Sequence, residues 1–414
     1  MLTPSHLHSL RRRLAGRLTL VALAGLTACS LAAFGMGIVI DIAFRRAWAG
    51  VTAGNPTEAG VWVICALTLG MTTIHILGVC WATWPTPTGI RLPRKAAPAF
   101  FQWMDEIAVK QGARPINRVW IGADMNAVLM QRPAFGWWGP IQTHLVIGLP
   151  LIHCISVDQF RAVIAHEFGH LAFQRSGIGA YFAHLRAWWA KVIDTAYEDF
   201  PWTETFSKRF SALFYRDMLR LARLEEFEAD RSAADVVGEQ LLGETLIEIS
   251  LKGRFLDQDY WPSVFEASLD SEGSDVRPYR QMGLGVAVGF LRRESVVEDL
   301  SIYEAGKGLL PLHPTLTERL HALGAQLEVP PEYPGTAADH FFADLLPTLS
   351  WALDRGWRDD DRQSWDAEDQ RHSARFAEAG FRDSRRSPQA RLLINPAIFR
   401  NFARRTPPNP SDRD

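Results

Sequence analysis

The sequence predicts an α+β chain, mostly helical, in which two N-terminal membrane helices precede a domain with a small mixed sheet. Three observations predict it. Two long apolar stretches lie within the first 90 residues. Two short clusters of β-branched residues, Asn117 to Gly122 and Thr143 to Leu149, read as strands. Several later stretches, from Ser156 to residue 358, read as helices.

The chain has 414 residues, enough for one large domain or two, and 47% of them are apolar, so most of it can bury a core. A net charge of -2 gives no argument for a nucleic-acid partner, and none is expected. Cys29, Cys65, Cys80 and Cys154 form no CxxC pair. Neither a cysteine metal site nor a disulfide framework follows, which fits a reducing compartment.

Leu18 to Ile40 carries no charge over 23 residues, and about 20 suffice to cross a bilayer. A second span is expected at about 60–84, with Trp62, Trp81 and Trp84 near its ends, where indoles favour the interface. Arg11, Arg12, Arg13 and Arg17 precede the first span, and Arg91, Arg94 and Lys95 follow the second. The intervening loop is expected to hold Asp41, Arg45, Arg46 and Glu58. The positive-inside rule then makes this a multi-pass integral membrane protein with its large C-terminal part in the cytoplasm. Leu26-Thr27-Ala28-Cys29 resembles a lipoprotein cleavage box, but the apolar run continues eleven residues beyond it. His75 in the second span reads as a packing group.

Prolines 85, 87, 93 and 98 form a stiff exit from the membrane. Phe100 to Gln111 reads as a helix closed by Gly112, and Gly136-Trp137-Trp138-Gly139-Pro140 as a turn. Ser156 and Gln159 form a capping box that opens the next helix. A second long helix is expected at about 210–237, closed by Gly238, with others near 240–256, 284–292, 315–326 and 337–358. Residues 1–95 thus form a membrane anchor, 96–330 the main domain, and 331–414 a charged helical extension with a disordered end.

His166-Glu167-Phe168-Gly169-His170 matches HExxH. On a helix, residues four apart share a face, so the two imidazoles can bind one zinc ion with Glu167 beside them. Zinc lowers the pKa of a water to about 7, and Glu167 can take its proton during attack on a peptide carbonyl. Val163, Ile164 and Leu171 give this helix an apolar face. A third protein ligand is needed. Phe173 and Ser176 stand where an extended HExxHxxGxxH motif needs Gly and His, so the ligand must come from elsewhere. Glu225-Glu226-Phe227-Glu228-Ala229-Asp230 offers candidates. Glu226 is preferred over Glu225 and Glu228, because Asp230 shares its face and can hold a ligating His.

HEFGH followed about 55 residues later by Glu-Phe-Glu-Ala-Asp resembles the HtpX-like and CAAX prenyl protease family of membrane zinc peptidases. Asn126-Ala127, ahead of the strand ending Ile147-Gly148-Leu149-Pro150, is similar to that family's element near the substrate edge strand. His313-Pro314 with Arg319 is similar to its late His-Pro…Arg element. The resemblance implies a gluzincin-type domain with one Zn2+ held by His166, His170 and Glu226. It implies Glu167 as general base, His313 at the oxyanion, and Arg319 orienting the site or the substrate carbonyl. Thr315 and Glu318 also form a capping box there. His184, Arg186 and Lys191 make Ala180 to Ile193 amphipathic, unlike the further spans common in the family.

The expected activity is endopeptidase cleavage of unfolded or misassembled proteins at the bilayer, with the Thr143–Leu149 strand pairing with the substrate. The alternative from another class is a zinc-binding membrane chaperone or scaffold that does not cut.

Overall fold

The computed structural model describes residues 4–81, 87–135, 138–172, 177–199, 204–270, 276–290, 314–326 and 328–358. The chain divides into two compact units, one of residues 1–85 and 181–221, the other of 86–180 and 222–414.

In the first unit, helix α1 (Pro4–Thr52) and helix α2 (Pro56–Trp81) form an antiparallel hairpin. The expected loop at 41–59 is absent, because no residue after Ile40 breaks the helix until Gly54, whose φ of 71° turns the chain. Asn55 then caps α2, its side-chain oxygen accepting from Glu58 N–H at 3.2 Å. Asp41, Arg45 and Arg46 therefore lie on α1, where Arg45 pairs with Asp41 at 2.8 Å. Both helices are long and apolar enough to cross a membrane, over His8–Thr52 and Pro56–Gly78, and this suggests membrane association. Leu31, Phe34, Leu67, Met71 and Ile74 are exposed on them, as lipid-facing side chains would be.

α1 is more than twice as long as a span requires. Thr73 meets Met36 at 3.6 Å, so α2 runs beside the C-terminal half of α1. The N-terminal half of α1 is covered instead by parts of helix α6 (Gly177–Asp199) and helix α7 (Glu204–Val237). Arg186 donates to Thr19 Oγ1 at 3.1 Å, and Arg17 pairs with the buried Asp217 at 3.2 Å. Leu18 and Ala22 are buried there, within the stretch expected to face lipid. The amphipathic pattern read at 180–193 thus serves to pack on α1.

The second unit is built on a four-stranded sheet. Its strands are β1 (Ile90–Leu92), β2 (Arg118–Gly122), β3 (Ala127–Phe135) and β4 (Trp138–Gly148), in the order β1-β2-β4-β3. Only β2 and β4 are parallel. Over His144–Gly148 β4 has a partner on each side, so that stretch cannot pair with a substrate; the sheet edge next to it belongs to β3. Helix α3 (Pro98–Lys110) and helix α5 (Val157–Ala172) belong to the same core as the sheet, where Phe100, Ile121, Leu145, Ile147, Phe160 and Phe168 are fully buried. The short helix α4 (Leu149–Cys154) joins β4 to α5.

Helix α8 (Glu239–Phe255) follows Gly238 and packs on α5. Helices α9 (Trp261–Asp270) and α10 (Pro278–Gly289) come next. Helix α11 (Leu316–Leu323) opens with the expected capping box, Thr315 N–H donating to Glu318 Oε2 at 2.8 Å and Glu318 N–H to Thr315 Oγ1 at 3.2 Å. Helical turns at 337–342 and 346–358 end the described chain. The expected disordered end and Trp84 lie outside the described residues.

Candidate metal centre

α5 starts at the predicted box: Ser156 N–H donates to Gln159 Oε1 at 3.0 Å and Gln159 N–H to Ser156 Oγ at 3.2 Å. Phe160, Ile164 and Phe168 recur every four residues and bury one face. His166, Glu167 and His170 are thereby turned to another face, where their ligand atoms lie within 4.8 Å of one another.

α7 reaches the same place because α5 has no side chain at position 169. A Cβ on Gly169 would sit 2.9 Å from both Cα and the carbonyl oxygen of Ala229. The two backbones touch at that point. One turn before Ala229, the Glu226 carboxylate lies 3.5 Å from His166 Nε2 and 3.3 Å from His170 Nε2. The two imidazole rings are perpendicular, with centroids 4.9 Å apart.

Behind His166 lies a chain of charge. Its Nδ1 is 2.8 Å from Asp230 Oδ1. Asp230 accepts two hydrogen bonds from Arg319, at 2.8 Å from Nε and 2.5 Å from Nη2. Arg319 Nη2 is also 4.0 Å from Glu226 Oε2. Burial alone would raise the Asp230 carboxyl, but the bonds from Arg319 and His166 hold it down at about 2. Burial likewise lowers the His166 imidazole, yet hydrogen bonds to Asp230 and Glu226 outweigh it and push it up to about 10.

Glu167 is buried, and burial raises its carboxyl above the usual range, against the neighbouring imidazoles. Its Oε2 accepts from Leu129 N–H at 2.9 Å. Leu129 is on the edge strand β3, so the carboxylate sits directly beside that edge.

These donors fit a zinc ion. With bonds of about 2.0–2.1 Å, the edge of a tetrahedron around zinc is about 3.3–3.4 Å. The separations of 3.5 and 3.3 Å, each to a different oxygen of Glu226, lie near that edge, and two imidazoles with one carboxylate suit zinc.

Asn126 opens β3. Its side-chain oxygen accepts from Ala127 N–H at 2.8 Å, and its carbonyl from Gly148 N–H at 2.7 Å, which ties β3 to the end of β4. His313 lies outside the described residues. Two contributors went unread in the sequence. Gln111 Nε2 donates to Ala165 O at 2.9 Å and to Ser232 O at 3.2 Å, fastening α5 to α7. Nothing in the sequence marks a lone Gln before a helix-ending Gly. β3 itself was hidden by Pro133, which argues against a strand unless it lies at an edge.

The family model of Peptidase family M48 matches residues 126–326, which takes in β3, the HExxH helix, Glu226, Asp230 and Arg319. Comparison with curated proteins and with solved structures returned no match.

Proposed function

Over residues 126–326 the chain belongs to Peptidase family M48, the family of HtpX and CAAX protease zinc metallopeptidases, and from that premise we propose a zinc-dependent endopeptidase of unfolded or misassembled membrane-associated proteins. One observation carries the reading: the Glu226 carboxylate stands 3.5 and 3.3 Å from the two imidazole nitrogens of HExxH.

His166, His170 and Glu226 would hold one Zn2+. When bound, zinc supplies Lewis acidity, polarising a carbonyl and acidifying a water that enters the site. Glu167 takes a proton from the water oxygen as that oxygen bonds to the scissile carbon. The carboxyl then returns the proton to the amide nitrogen as the carbon–nitrogen bond breaks. Leu129 N–H fixes one oxygen of Glu167 and leaves the other for this transfer. Asp230 holds His166 by its far nitrogen, and Arg319 holds Asp230, so Arg319 acts by orienting the site. His313 at the oxyanion follows from the family likeness.

An extended substrate would add to β3, the strand whose edge is open and whose centre touches Glu167. The basic flanks support a catalytic domain on the cytoplasmic side of the membrane.

The test is cleavage of an unfolded model protein by the detergent-purified chain. The wild type should cut, chelation of zinc should stop it, and Glu167→Ala should retain zinc without cutting. A wild type that holds zinc and cuts no unfolded protein would overturn the peptidase reading in favour of a non-proteolytic zinc-binding scaffold.

A further inference from the structure

β3 and β4 continue well beyond the rest of the sheet. β2 pairs with β4 only over His144 to Gly148, whereas β3 pairs with it from Ala127 opposite Ile147 out to Phe135 opposite Trp138. A two-stranded ribbon therefore projects from the catalytic centre, and its outer edge is that of β3.

In an antiparallel pair, successive residues point their N–H and C=O alternately towards the partner and away. Leu129 N–H points outward, because it reaches Glu167. Gln131 is then outward too, and so is position 133. Pro133 has no N–H, so a ladder added to this edge ends there for want of a donor. Prolines on edge strands commonly block further pairing. The edge thus offers an added strand the Leu129 carbonyl and both groups of Gln131, and no full ladder beyond.

Past that stop stands Phe135. Phe135 is 75% exposed. Gly139, which has a φ of 94°, lies beside the ring: a Cβ there would come within 2.7 Å of Phe135 Cδ2. An aromatic side chain has only two χ angles, so it loses little freedom on binding. It lies six residues from Leu129, about 20 Å along a strand.

Building on the peptidase reading above, we infer that Phe135 is a distal specificity residue: it takes a bulky apolar side chain of the substrate, upstream of the scissile bond. The substrate docks antiparallel to β3, the stronger geometry per residue. Its residues facing Gln131 to Phe135 are then N-terminal to those at Glu167. The apolar side chain falls about five or six residues before the cleaved bond. Pro133 sets this spacing by freeing the substrate from the ladder before it reaches the tip.

The test uses the detergent-purified full chain and two sets of quenched-fluorescence peptides. Short peptides reach only as far as Gln131. Long ones carry a single Phe scanned through the positions on either side of the bond. Wild type and Phe135→Ser should cleave the short peptides equally. Wild type should cleave the long peptide about tenfold better when Phe lies five or six residues upstream. Phe135→Ser should lose that gain, and Phe135→Leu should keep it. A flat scan with short peptides cleaved, a gain on the C-terminal side instead, or a gain that survives Phe135→Ser overturns the inference alone. No cleavage of either peptide set by wild type overturns the peptidase reading, and this inference with it.

Discussion

Asp230 Oδ1 lies 2.8 Å from His166 Nδ1 and 2.5 Å from Arg319 Nη2, so one carboxylate oxygen serves both a ligand imidazole and a buried guanidinium. Removing it should do two kinds of harm. Asp230→Ala leaves Arg319 charged and buried without its main partner, which costs about 3–5 kcal/mol. It also frees the His166 ring, which should weaken zinc binding by about 10–100-fold. Thermal denaturation of the metal-free chain reads the first effect and zinc titration the second. An Asp230→Ala chain with wild-type stability and affinity would show that the contact carries neither load.

The contact of Gly169 with Ala229 sets the spacing of α5 and α7, and through it the position of Glu226 against the imidazoles. Gly169→Val should force these backbones apart, at about 1–3 kcal/mol. Zinc affinity should fall although every ligand is retained. Gly169→Ala should give the same result in weaker form. Metal content after dialysis against a graded chelator measures it, and unchanged retention in the Val variant would mean that the helices adjust elsewhere.

Much of this site was legible because its residues obey local rules. HEFGH places two imidazoles on one helix face, and Glu226 and Asp230 fall four apart on another. The boxes at Ser156–Gln159 and Thr315–Glu318 fixed where two helices begin. What was not legible depends on distant partners. The role of Gly169 needs Ala229, and that of Gln111 needs Ala165 and Ser232. The edge position of β3 appears only once β4 is seen to lie between it and β2. α1 was read as ending near Ile40 because charge follows there, yet charge on an exposed helix face breaks no hydrogen bond of the helix.

The proposed membrane orientation rests on the distribution of Arg and Lys alone. Arg11, Arg12, Arg13 and Arg17 at one end of α1 should stay in the cytoplasm, and the turn at Gly54 and Asn55 should cross. A single cysteine introduced at Asn55, in a chain whose native cysteines are replaced, should react with an impermeant maleimide added outside intact cells. One introduced at Glu332 should react only after lysis. The opposite pattern would invert the topology and place the peptidase domain outside.

Acid should destabilise the fold through His144. The side chain is buried in β4, its Nδ1 accepting from Trp120 Nε1 at 3.3 Å. Burial, with the charges of Arg132 and Arg118, lowers the imidazole to about 4. In the unfolded chain it titrates near 6.5. Above that pH both states are neutral and the group adds no pH dependence. As pH falls from about 6.5 to about 4, the unfolded chain binds a proton that the folded chain refuses, so stability drops across that window. Below about 4 both states are protonated and this contribution levels off. His144→Gln keeps an acceptor for Trp120 and removes the titration. Melting temperatures of the detergent-solubilised chain at pH 7.5 and 4.5 should therefore differ less in the variant than in the wild type. Equal acid sensitivity in the two would assign the loss to other groups.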